Sequence, residues 1–290
     1  MKSIETRLIV LMLAASLYAT AEVKKDVKYG EADNVPLLMD AYILDGPGPF
    51  PTIVYVHGGG FVSGDKKGVP KPLFDVLSQA GFNWFSVNYR LAPKYTFPAE
   101  TDDVESALLY IRTHAKEYKV DAKRMVLMGG SAGGHLVSFV GAKYWPENRL
   151  AAVVPFFGEH DLVERTQPKT DCVMDGHTRH TDQPEPCLSP GLKAFLGVSD
   201  LSPESMKIIR AASPATYIEN TMPPYLLVHG DSDHYVPYDQ SVLMLNEMKQ
   251  AGARVELYTV KGGGHGDWDD DPVKSQYKEA VLMWLQKTLK

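Results

Sequence analysis

The chain has 290 residues, 44% of them hydrophobic and 23% charged, enough apolar material for one large α/β domain or two small ones. The net charge of −6, with no run rich in Lys or Arg, argues against nucleic acid as a partner, because phosphate binding needs a clustered positive surface. No internal repeat or low-complexity segment interrupts the sequence.

The first residues have the make-up of an export signal. Lys2 and Arg7 give a positive start, residues 8–15 an apolar core, and Ala19-Thr20-Ala21 an A-x-A cleavage site. The apolar run is too short to span a bilayer. The expectation is a signal peptide over 1–21, a mature chain 22–290 without a membrane span, and a secreted or periplasmic location. An uncleaved anchor and a buried helix are the alternatives. The two cysteines, Cys172 and Cys187, are expected to pair in an exported protein. They bracket a polar stretch that lacks an apolar pattern of its own.

Residues 24–44 read as an opening pair of strands, and 46–51 as a Gly/Pro turn. A buried strand over 52–57 runs into Gly58-Gly59-Gly60. A helix suits 70–80, a strand 82–88, and a helix 100–118 with Val104, Leu108, Ile111 and Ala115 on one face. Met125–Met128 is an apolar strand ending in Gly129-Gly130-Ser131-Ala132-Gly133, and a helical pattern follows. Residues 150–157 form another strand, and 158–216 are the least regular third. A strand over 225–229, a helix over 238–251, a strand over 255–260 and a helix over 272–289 complete the chain. Strands alternating with helices imply a mostly parallel sheet covered on both faces, with any ligand site beyond the strands' carboxyl ends.

Four strand ends carry unusual residues. They are His57-Gly58-Gly59-Gly60-Phe61, the G-x-S-x-G turn around Ser131, His229-Gly230-Asp231-Ser232-Asp233, and Gly264-His265-Gly266. A serine hydroxyl is a weak nucleophile and needs a base within hydrogen-bond reach. A histidine supplies one, and an acid orients the histidine. Exposed N–H groups of Gly59, Gly60 and Ala132 would hold the oxyanion. Strand, tight turn and helix is the context that gives G-x-S-x-G its meaning.

With these motifs, and with Asn88-Tyr89-Arg90-Leu91-Ala92-Pro93 and Phe97-Pro98-Ala99, the chain resembles α/β-hydrolases of the esterase/lipase kind with an HGGG oxyanion motif. It is similar to the hormone-sensitive-lipase-like group and to bacterial feruloyl and acetyl esterases that act on carbohydrates. The resemblance runs from about residue 27 onwards. It implies a central sheet of about eight strands and a single catalytic domain with an insertion at about 158–216. It also implies a Ser131–Asp233–His265 triad; Asp231 is the other candidate acid, and the family pattern favours Asp233. Phe61, Phe157, Tyr235 and Trp268 lie beside the catalytic strand ends and are candidate pocket residues. His177-x-x-His180, with Asp175 and Asp182, lacks the further well-spaced ligand that a metal site needs.

The expected function is that of a secreted serine carboxylesterase needing no metal or cofactor. Its substrate would be a small-molecule or oligosaccharide ester, with acetyl or feruloyl groups of plant polysaccharides favoured by the resemblance. An exopeptidase or formamidase on the same scaffold, and a non-catalytic binding protein, are the alternatives. The acyl group, the alcohol, the oligomeric state and whether the Cys172–Cys187 loop covers the site are open at this point.

Overall fold

In the computed structural model, residues 20–290 are described; residues 1–19, which carry most of the export-signal expectation, lie outside them. The apolar runs assemble into one eight-stranded sheet. In chain order its elements are β1 (Ala21–Ala32), β2 (Val35–Leu44), β3 (Phe50–Val56), α1 (Lys71–Gln79), β4 (Asn83–Val87), α2 (Ala99–Thr113), β5 (Val120–Gly130), α3 (Ala132–Lys143), α4 (Trp145–Asn148) and β6 (Ala152–Phe156). There follow β7 (Lys169–Met174), β8 (His177–Glu185), α5 (Pro190–Leu196), α6 (Pro203–Ala212), β9 (Tyr225–Gly230), α7 (Asp239–Gln250), β10 (Val255–Val260) and α8 (Tyr277–Thr288). The strand order is β1-β2-β4-β3-β5-β6-β9-β10. β1 and β2 pair antiparallel, as do β2 and β4; the remaining neighbours are parallel.

Successive side chains of a strand point to opposite faces, so a strand covered on both sides must be apolar at every position. Ile53 and Tyr55 join one core cluster, and Val54 and Val56 the other. Val126 and Met128 alternate in the same way with Leu127. Val104, Leu108 and Ile111 of α2, Leu136 and Phe139 of α3, and Met244 and Met248 of α7 cover the first face. Leu73, Phe74 and Leu77 of α1, with Val281, Trp284 and Leu285 of α8, cover the second.

Three segments depart from the sequence expectation. α2 stops at Thr113 rather than 118, because the chain turns back to feed β5. β5 itself starts at Val120, and its first half, Asp121-Ala122-Lys123-Arg124, is too polar to read as a buried strand. α8 starts at Tyr277 rather than 272, because the Asp271 carboxylate accepts from the N–H groups of Val273 and Lys274 and holds a turn there. The stretch 158–216 is more ordered than its composition suggests. It contains the antiparallel β7–β8 hairpin, closed by the Cys172–Cys187 disulfide with Cα atoms 5.3 Å apart, and the helices α5 and α6. Ser189 and Ser202 cap these helices, accepting from the N–H groups of Leu192 and Ser205. Each is followed by proline at the first helical position, a start signal present in the sequence. Among the described residues, no helix is long and apolar enough to cross a membrane.

Candidate active site

The site forms where β3, β5, β9 and β10 end. Between β5 and α3 the chain reverses within one residue, and Ser131 takes φ 56° and ψ −120°. Such a conformation costs a non-glycine residue roughly 1–3 kcal/mol and persists only where the surroundings enforce it. Here the Ser131 N–H donates to the Phe156 carbonyl at 2.9 Å, and its own carbonyl accepts from the His135 N–H at 3.0 Å. The turn also demands glycine nearby. A Cβ on Gly133 would fall on the carbonyl oxygens of Val56 and His57, and one on Gly129 would lie 2.6 Å from the Gly133 carbonyl oxygen.

His265, in the loop after β10, places Nε2 2.8 Å from Ser131 Oγ and Nδ1 2.7 Å from Asp233 Oδ2. A carboxylate only accepts, so Nδ1 carries the proton and Nε2 presents a lone pair to the serine hydroxyl. The His265 ring lies between Phe157 and Tyr235, at centroid distances of 4.5 and 5.0 Å. Asp233 lies in the loop after β9. Its Oδ1 accepts from the N–H groups of Tyr235 at 2.7 Å and Val236 at 3.0 Å. Burial alone would raise this carboxyl, but hydrogen bonds from His229 and His265 outweigh it and hold the group well below the usual carboxylate range.

His229, named in the sequence only as the start of a strand-end motif, also takes part. It is fully buried, and its Nε2 lies 3.2 Å from both Asp233 Oδ2 and the Val236 carbonyl. Both neighbours are acceptors, so Nε2 bears the proton. Nδ1 then accepts from the Ser241 hydroxyl at 2.8 Å. The position of His229, four residues before Asp233 at the end of the same strand, was the available signal. Asp231, the other candidate acid, turns away: it accepts from Lys261 Nζ at 3.0 Å and from the Gly262 N–H at 2.7 Å.

The glycine-rich loop after β3 packs against the Ser131 turn so closely that a Cβ on Gly58 would lie 2.9 Å from the Gly130 carbonyl oxygen. His57 stacks on Tyr89 at 4.3 Å, and the Tyr89 hydroxyl donates to the His57 carbonyl at 3.0 Å. Burial lowers the pKa of the His57 ring, which sits behind the loop. Gly59 and Gly60 have φ of +119° and +60°. Among the described residues, nothing accepts from the N–H groups of Gly59, Gly60 or Ala132. Ala132 is the first residue of α3, where N–H groups have no partner within the helix.

These groups line one cavity of about 380 Å³. Ser131, His265, Gly59, Gly60, Ala132, Phe61 and Tyr235 all face it, together with Glu159, Asp175, Ser189, Leu192 and Val236, which sequence reasoning did not place there. Phe61 is 3% exposed and stacks on Phe195 at 4.2 Å, so it forms the cavity's apolar floor. Two candidate pocket residues are elsewhere. Phe157 supports the back of the His265 ring, and Trp268 is buried, donating from Nε1 to the Gly264 carbonyl at 2.9 Å. Both line a separate cavity of about 70 Å³. They brace the His265 loop because aromatic bulk next to a strand end packs against the sheet unless the chain turns it outward.

Among the described residues, no group of three or more His, Cys, Asp or Glu side chains is placed to hold a metal ion. His180 contacts Asp171 at 2.7 Å on the exposed hairpin, and His177 Nδ1 lies 3.4 Å from the Asp175 carbonyl.

The sheet, its covering helices and the serine turn at the end of β5 define an α/β-hydrolase fold. Solved structures agree. A bacterial heroin esterase superposes with a TM-score of 0.77 at 26% identity, over 96% of this chain and 87% of that one. A truncated carbohydrate esterase from gut microbiota superposes with a TM-score of 0.76 over 95% and 98%; at 24% identity it speaks to the fold alone. The chain belongs to the BD-FAE family, whose model matches residues 39–248. Among curated proteins, the probable carboxylic ester hydrolase LipM of Mycobacterium tuberculosis is 29% identical over 241 residues, covering 80% of this chain. The chain spans about half the length of that relative, 52%.

Proposed function

We propose that this protein is a serine carboxylic ester hydrolase working through an acyl-enzyme. The observation that carries the reading is the unbroken relay from Ser131 Oγ to His265 Nε2 at 2.8 Å and from His265 Nδ1 to Asp233 Oδ2 at 2.7 Å. Ser131 attacks the ester carbonyl while His265 takes its proton. Asp233 holds the tautomer and stabilises the imidazolium. The N–H groups of Gly59, Gly60 and Ala132 receive the oxyanion, each contributing roughly 3–4 kcal/mol to the barrier reduction. His265 then protonates the leaving alcohol and activates water to release the acid. No step calls on a metal or cofactor.

Family membership and the names of the relatives support an ester over an amide substrate. The resemblance of the sequence motifs to bacterial feruloyl and acetyl esterases favours acetyl or feruloyl groups on plant polysaccharides. The same reading takes residues 1–21 as an export signal and 22–290 as the catalytic domain, in keeping with the Cys172–Cys187 disulfide. The test is Ser131→Ala assayed on a short-chain nitrophenyl ester. Turnover should be abolished in a variant whose circular dichroism matches the parent, and unchanged activity would refute the assignment. An amide analogue turned over as fast as the ester would favour the exopeptidase or formamidase reading.

A further inference from the structure

The cavity beside Ser131 holds a buried charge that the proposed chemistry does not use. Glu159 lies just beyond β6, is 6% exposed, and lines the cavity with Ser131 and His265. Its Oε1 is 3.4 Å from Arg165 Nε, an ion pair outside hydrogen-bond geometry, and its Oε2 is buried without a partner. Among the described residues, no donor hydrogen-bonds either oxygen. Buried carboxylates are normally saturated with donors, and leaving one unsatisfied costs free energy. Burial raises this carboxyl above its usual range despite the opposing charge of Arg165.

Arg165 cannot readily move to close the gap. It is 1% exposed, its Nη2 donates to the Val173 carbonyl at 2.8 Å, and its own carbonyl accepts from the Cys187 N–H at 2.8 Å. It is therefore tied to the disulfide-closed hairpin. That hairpin's turn brings a second, exposed carboxylate, Asp175, to the same cavity. No Lys or Arg is among the described residues lining it. Since Arg165 already balances the charge of Glu159, the unmet need is a hydrogen-bond donor rather than a cation. A hydroxyl on a carboxylate makes a short, strong bond.

Resting on the ester-hydrolase reading, we propose that Glu159 is a specificity-determining acceptor. It receives a hydroxyl of the substrate, so the site selects esters of sugars and polyols over esters of apolar alcohols. The test compares kcat/KM, by pH-stat, for glycerol monoacetate, n-butyl acetate and acetylcholine in the wild type, Glu159→Leu and Glu159→Gln. The wild type should favour glycerol monoacetate over butyl acetate by roughly ten-fold or more, the usual worth of a hydrogen bond to a charged group. Glu159→Leu should bring that ratio close to one, and Glu159→Gln, which keeps a carbonyl acceptor, should fall between. A wild-type ratio near one, a wild-type preference for acetylcholine, or a ratio undiminished in Glu159→Leu would overturn the inference. If the leucine variant does not fold, the wild-type ratios decide. Turnover of no ester at all would overturn the hydrolase reading and this inference with it, whereas equal turnover of the esters overturns the inference alone.

Discussion

Replacing Asp233 by asparagine tests how the histidine is held. Every neighbour of the Asp233 carboxylate is a donor: the N–H groups of Tyr235 and Val236 on Oδ1, and the rings of His265 and His229 on Oδ2. An asparagine amide has only one oxygen for these two sets. With its oxygen kept on the backbone N–H groups, its NH2 faces His265 Nδ1. The imidazole must then accept at Nδ1 and carry its proton on Nε2, which can no longer take the Ser131 proton. A wrong tautomer of this kind costs roughly four decades in kcat, about 5–6 kcal/mol of barrier. The expected result is a loss of that size in kcat on a short-chain nitrophenyl ester, with KM changed far less and the thermal transition retained. A loss under ten-fold, in a folded variant, would refute the argument that Asp233 sets the tautomer.

Three further outcomes follow from the structure. Gly133→Ala should fail to fold or lose all turnover, since its Cβ collides with the carbonyls of Val56 and His57; an active, stable variant would show that the turn can relax. Reducing the Cys172–Cys187 bond, which closes a separation of 15 residues, should cost roughly 3 kcal/mol of stability. Calorimetry with and without reductant reads this, and an unchanged transition would contradict it. Glu100 is fully buried, neither of its carboxylate oxygens has a partner among the described residues, and burial raises its pKa to about 8. The folded state therefore holds a proton that the unfolded chain has lost. Stability should fall as pH rises from the ordinary carboxylate value to about 8 and level off above it, by a few kcal/mol at about 1.4 kcal/mol per pH unit. Glu100→Gln should remove that slope in denaturant melts, and a variant parallel to the wild type would sink the argument.

Much of the fold was legible because buried parallel strands leave a strong trace. Ile53–Val56, Val126–Met128 and Val153-Val154 are apolar at consecutive positions, as two-sided burial requires. The polar start of β5 and the β7–β8 hairpin leave no such trace. β8 is rich in charged and hydroxyl residues on an exposed ribbon, and the hairpin is held by its disulfide, by Arg165 and by a small buried cluster of Cys172, Met174 and Cys187. Ser131, Asp233 and His265 were candidates because each follows a strand end, with the family resemblance favouring Asp233 over Asp231, and the sheet brings the three side chains to one rim. The cavity walls could not, since they depend on how the irregular stretch folds back. That stretch supplies Glu159, Asp175, Ser189 and Leu192 to the cavity, while Phe157, just past the end of β6, and Trp268, three residues after His265, turn into the packing behind the site.

The proposed chemistry requires that His265 make Ser131 nucleophilic next to amides that receive a negative oxygen. A fluorophosphonate probe tests this most directly, because it mimics the tetrahedral state and bonds only to an activated serine. After incubation with the intact protein and proteolysis, mass spectrometry should find a single adduct on the peptide containing Ser131, and His265→Ala should react orders of magnitude more slowly. An unlabelled protein that still cleaves esters, or an adduct on another residue, would contradict the account.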